Sequence, residues 1–216
     1  MKTILATLLL SVSTAGTGSG PAPFTARAAR QPASVLAPAK AFAPPPAAVG
    51  KVFLTIEEAL ELAFPDCEVA MRTEYLSKEQ RARVKEVGSV EVPQSIVKRY
   101  VATKAGELVG TAYVEAHKVR TMKEVVMVVL DAQNRLTRYE ILSFGEPTEY
   151  IPRSSWYAQL FGRRLEDGVE LGRGIRTVSG ATLTARATTR SARRVLALHK
   201  VLGVAATAEP MSGEAR

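Results

Sequence analysis

Apolar residues in this chain recur at helical spacing, then at strand spacing, and finally at helical spacing again. Thr55-Ile56-Glu57-Glu58 has the form of a capping box, with Ile56, Ala59, Leu60 and Ala63 on one helical face behind it. That helix should stop before Pro65, which has no N–H to continue the ladder. Alternation then predicts a strand near Glu68 to Leu76, and Ser77-Lys78-Glu79-Gln80 a second capping box opening a short polar helix that ends near Gly88. After Pro93 come four strand-like runs: Ser95–Thr103, Leu108–Glu115, Lys123–Leu130 and Arg135–Phe144. Turn chemistry separates them at Lys104-Ala105-Gly106-Glu107 and Asp131-Ala132-Gln133-Asn134. Strands joined by short turns predict an antiparallel meander, because parallel strands need long crossovers. A short helix from Ser154 to Phe161 precedes a polar loop, and a long helix runs from about Thr182 to Val204. On its wheel Ala187, Ser191, Val195, Leu198 and Leu202 form the stripe expected to face the sheet. The expected class is α+β: an antiparallel meander with N-terminal helices and a long C-terminal helix.

The ends of the chain read differently. Lys2, the apolar run Ile4 to Val12 and the small residues Ser13, Thr14 and Ala15 match a secretory signal peptide over residues 1–15. The alternatives are a membrane anchor through residues 4–12 and an ordinary disordered terminus; the run is short for a span, which needs about 20 apolar residues. Residues 16–50 carry seven of the twelve prolines and are expected to be a disordered tether. The folded domain is expected over residues 51–204, with residues 205–216 as a disordered tail.

Net charge is +8, but residues 1–50 hold four cations and no acid, which leaves the rest of the chain only mildly basic. That balance makes no case for a nucleic-acid partner. The single cysteine, Cys67, precludes an internal disulfide, and two distant histidines, His117 and His199, offer little for a metal site.

Candidate chemistry concentrates in Ser179-Gly180-Ala181-Thr182-Leu183-Thr184, which opens the long helix. A small-residue loop at a helix start leaves N–H groups unpaired at the positive dipole end. Gly180 permits close backbone approach, Ser179 and Thr182 offer hydroxyls, and Arg186 can reach back one turn; together they suit a phosphate. Read from the residues alone, an anion site competes with a Ser or Thr N-cap beside solvated arginines. Ser179 is the better placed N-cap, Thr184 falls within the stripe that should face the sheet, and Thr182 shares a face with Arg186 and Arg190.

The run SGATLT resembles the attachment motif of the FMN-binding domain family, which includes the flavin-bearing subunits of sodium-translocating NADH:quinone oxidoreductase and of Rnf-type complexes. The resemblance covers Gln94 to Gly203; for residues 51–93 it rests on the order of elements. It implies FMN joined by a phosphoester to Thr182, placed there by a flavin transferase that uses FAD, with Ser179, Gly180, Ala181, Thr184 and Arg186 around it. It further implies an electron carrier in a periplasmic or other extracytoplasmic chain, serving a redox partner protein or a membrane electron-transfer complex. Two departures from the family pattern stand out. Arg176 occupies a place that is usually acidic. The family's Glu-Thr-Pro-Gly-type loop is replaced by Phe144-Gly145-Glu146-Pro147-Thr148-Glu149-Tyr150, followed by Trp156-Tyr157. Within that segment Glu146 is a further cofactor-site candidate, and Tyr150, Trp156 and Tyr157 either stack on a flavin or fill the core beneath a loop.

Other features carry less. Glu146 and Glu149 have no partner base at a recognisable spacing. His117 reads as structural or solvated, Cys67 as a small buried hydrophobe. The basic positions Arg186, Arg190, Arg193 and Arg194 read as a solvated helix face. The competing functions are a flavin-free interaction domain of the same fold and a small flavin-dependent reductase.

Overall fold

The computed structural model describes residues 51–203. The expectations for residues 1–15, 16–50 and 205–216 fall outside the described residues, as does the alternative anchor at residues 4–12. The described chain forms β1 (Lys51–Val52), α1 (Ile56–Ala63), β2 (Glu68–Tyr75), α2 (Lys78–Gly88), β3 (Ile96–Lys104), β4 (Glu107–Lys118), β5 (Lys123–Asp131) and β6 (Leu136–Phe144). Then follow α3 (Ser154–Tyr157), the two-residue strands β7 (Glu170–Leu171) and β8 (Gly174–Ile175), and α4 (Thr182–Leu202). The class is α+β, with one six-stranded antiparallel sheet in the order β1-β6-β5-β4-β3-β2.

Both capping boxes form. Thr55 and Glu58 exchange side-chain and backbone bonds at the start of α1, and Ser77 and Gln80 do so at α2. The turn between β3 and β4 places Ala105 and Gly106 at positive φ, the geometry that matches the twist of a tight hairpin. Alternation sends successive residues of β5 to opposite faces. Val126, Val128 and Leu130 pack with Tyr113, Leu136, Trp156, Leu160, Ile175 and α4; Met127 and Val129 pack with Phe64, Tyr100, Leu142 and Ala59 of α1. β5 is therefore buried on both sides, and α4 and α1 cover opposite faces of the sheet. α2 joins α4 through Leu76, Val84, Val92, Ala197 and Leu198.

The buried stripe of α4 is rotated from the expected one. Ser191, Val195 and Leu198 are buried, but Ala187 and Leu202 are only half-buried, and the arc is filled by Ala185, Thr188, Ala192, Leu196 and His199. Flanking cover is the cause: α2 on one side and the segment carrying β7 on the other both pack against the helix. Among the described residues no helix is long and apolar enough to cross a membrane.

Candidate functional site

The chain enters α4 through a bend in which Gly180 has φ +81°, a left-handed conformation that L side chains seldom adopt. The N-cap is Ala181, with no side-chain cap, and the first helical bond runs from Ala185 N to the Ala181 carbonyl. The expected cap by Ser179 is thus not formed; Ser179 lies two residues too early and is exposed. Among the described residues no side chain caps the N–H groups of this first turn. Thr182 is the first helical residue, exposed, and its Oγ1 donates to the Val178 carbonyl at 2.9 Å. That bond directs the hydroxyl proton inward and leaves the oxygen lone pairs facing out. Thr184, two residues on, is 1% exposed and turned into the fold.

A pocket of about 240 Å³ lies against this loop, lined by Gly180–Thr184, Val119, Arg120, Glu146 and Tyr150. Its far wall is the turn between β4 and β5, held down by a single carboxylate. Glu146 Oε1 accepts from Thr121 N at 2.5 Å, Met122 N at 2.7 Å and Thr121 Oγ1 at 3.0 Å. The Met122 and Thr121 N–H groups hold the Glu146 carboxyl below its ordinary value. Gly145 is needed for this approach: a Cβ there would stand 2.7 Å from Met122 Cβ and 2.8 Å from the Lys123 carbonyl. So Glu146 borders the pocket, and its bonds to the turn brace that wall.

The three aromatics separate. Tyr150 is half-buried and lines the pocket. Trp156 is buried in the core, with its Nε1–H donating to the Arg176 carbonyl at 2.7 Å, which pins the segment leading to Ser179. Tyr157 is buried against Tyr139, ring centroids 5.7 Å apart and nearly parallel. On the other side of the loop a shallower cleft of about 560 Å³ includes Ser179, Ala181, Arg176, Arg153 and Trp156. Arg176 is fixed there by Gln159, whose Oε1 accepts from its backbone N–H at 2.9 Å.

Arg186 does not line the pocket of Thr182. It lines a neighbouring cleft of about 210 Å³ with His117, Lys118, Val119, Leu183, Ala187, Arg190 and Arg194. The cation at the Thr182 pocket is Arg120, which the sequence reading did not single out. Beneath the neighbouring cleft lies a buried polar cluster. Arg194 forms an ion pair with Glu115, Ser191 donates to Glu115 at 3.2 Å, and His117 Nε2 meets Glu124 at 3.0 Å. His117 is thereby a structural residue between the buried Glu124 and the half-buried Glu115. Cys67 is half-buried against the cluster under α1.

Comparison of the chain with protein-family models, curated proteins and solved structures returned no match.

Proposed function

We propose that this protein is an electron-carrying flavoprotein that holds FMN through a phosphoester on Thr182. The observation that carries the reading is the difference between two threonines. Thr182 presents a hydroxyl at the mouth of a pocket, whereas Thr184 is 1% exposed. The residues present suit the group. Uncapped N–H groups of α4 and the Arg120 guanidinium offer positive charge to the one negative charge left on a phosphodiester. Glu146 lines the same pocket as an anion, with its Oε1 engaged by three donors of the β4–β5 turn, so the helix N–H groups and Arg120 are the groups that favour the phosphodiester.

When bound, the flavin supplies the redox chemistry, and the chain binds and positions it. Thr182 Oγ1 would form the bond to phosphorus as the pyrophosphate bond of FAD breaks and AMP leaves, its proton passing to a base of the transferase; the hydrogen bond to the Val178 carbonyl orients the hydroxyl beforehand. Gly180 lets the backbone approach the phosphate, and Tyr150 offers an aromatic wall. Maturation by a flavin transferase, export by residues 1–15 and service to a redox partner outside the cytoplasmic membrane belong to the same proposal.

The test is coexpression with a flavin transferase, followed by intact mass after denaturation. Wild type and Thr184→Ala are expected to gain the mass of FMN less one water, and Thr182→Ala to gain nothing. An adduct that persists on Thr182→Ala moves the site. No adduct on wild type favours a flavin-free interaction domain, with Arg176 at the usually acidic place as the cause.

A further inference from the structure

The cleft beside the attachment pocket has charges that the fold itself does not use. Lys118 lines this cleft and stands directly opposite Lys123 across the β4–β5 hairpin; Arg120, in the turn between them, lines the pocket of Thr182 instead. Like charges in register across strands destabilise the pair. Facing the hairpin, Arg186 and Arg190 sit one turn apart on the exposed side of α4, where like charges repel again. Among the described residues no carboxylate forms an ion pair with Lys118, Arg120, Lys123 or Arg186. Arg190 feels Glu91, but Glu91 is paired with Lys85. Between the two cationic walls lies Leu183, 47% exposed, which lines both this cleft and the pocket of Thr182.

We propose that this cleft, with Leu183 as its apolar centre, is the docking surface for an acidic projection on the protein that exchanges electrons with the flavin. An apolar contact ringed by charge is how protein interfaces combine affinity with orientation. Cations on both walls of a concave cleft fit a protruding acidic loop; the plane of lipid headgroups would reach only the rim. The position also serves the redox role, since a partner seated on Leu183 is one residue from Thr182. The inference rests on the electron-carrier reading for the identity of the partner, but acid recognition by the cleft is measurable without flavin.

The probe is a peptide of ten glutamates, titrated calorimetrically against the full chain at low and physiological salt. Flavin content is recorded separately by mass, so failure of flavinylation and failure of docking are read on different instruments. The peptide is expected to bind one to one and to weaken as salt rises. The double variant Lys118→Glu/Arg190→Glu should weaken it about tenfold or more, as steering by a focused field implies. Lys104→Glu/Arg135→Glu makes the same change in net charge at the turns of the opposite end of the sheet, and should leave binding nearly unchanged. Equal weakening by both double variants would overturn the proposal, because net charge alone would then explain binding. Phosphatidylglycerol vesicles bound in place of the peptide, with the same sensitivity to Lys118 and Arg190, would overturn it in favour of a membrane surface. Full competition by inorganic phosphate at equal concentration would make the cleft a small-anion site.

Discussion

At the residue scale, one carboxylate decides whether the pocket of Thr182 has a second wall. The turn between β4 and β5, Val119-Arg120-Thr121-Met122, contains no glycine, proline, asparagine or aspartate to favour it locally. It is closed by the Val119 N–H bond to the Met122 carbonyl at 3.1 Å and braced from outside by Glu146, which takes three donors on one oxygen. Removing that acceptor leaves the Thr121 and Met122 N–H groups without their partner. Glu146→Ala should therefore speed hydrogen exchange at those two amides by about tenfold or more, through local opening. In the wild type, the amide shifts of Thr121 and Met122 should titrate with a midpoint below 4.5, the ordinary value from which the Glu146 carboxyl is lowered. The sign follows from the depressed pKa: the brace is intact above the ordinary carboxylate range and is lost as pH falls through the lowered value. Unchanged exchange in the variant would show that packing of Gly145, not the carboxylate, holds the turn.

Elements show why some of the molecule was legible and some was not. The helix starts were legible because capping is local: Thr55 with Glu58, and Ser77 with Gln80, lie three residues apart in sequence. The meander was legible because alternation and turn residues are local too. The start of α4 was misread at its cap, since Ser179 has a capping side chain but Gly180 bends the chain and delays the helix to Thr182. Its buried stripe was misjudged because its flanks are covered by segments far away in sequence. Arg120 was missed for the same kind of reason: it belongs to the site only through a turn that Glu146 braces from more than 20 residues away. One such long-range contact joins α4 to α2. Arg193 donates from Nε at 3.0 Å and from Nη2 at 2.8 Å to the Gly88 carbonyl, one of the last carbonyls of α2, which its own helix leaves unpaired. Arg193→Ala should cost about 1.5–3 kcal/mol, the range for a hydrogen bond to a charged group. Urea unfolding should show this as a lower midpoint with an unchanged slope. A changed slope would mean that α2 has come away from the rest of the fold.

At the scale of the whole molecule, the buried histidine at the far end of α4 ties the helix to the sheet and sets a pH dependence. His199 is 2% exposed; its Nδ1 is 2.9 Å from the Tyr113 hydroxyl and its Nε2 is 2.8 Å from Asn134 Oδ1. The amide oxygen only accepts, so Nε2 carries the proton and Nδ1 accepts from Tyr113: the neutral ring satisfies both contacts. Burial, with a smaller contribution from the Arg99 charge, lowers the His199 pKa from 6.5 to about 4. The unfolded chain takes up this proton near pH 6.5, whereas the folded chain resists it down to about 4. The stabilisation is thus complete above about 6.5 and is lost progressively as pH falls toward about 4. Between pH 7 and pH 5 the loss should be on the order of 2 kcal/mol, from the shift in pKa alone. The comparison must isolate His199 from every other titrating group. His199→Gln keeps a donor and an acceptor but removes the titration. The measurement is urea unfolding of wild type and variant at both pH values. The variant is expected to be less stable at pH 7 and to have a dependence flatter by about that amount, again on the order of 2 kcal/mol. A variant with the full wild-type slope would move the pH dependence to other groups, and would leave the Tyr113–His199–Asn134 bridge a packing contact without a role in acid stability.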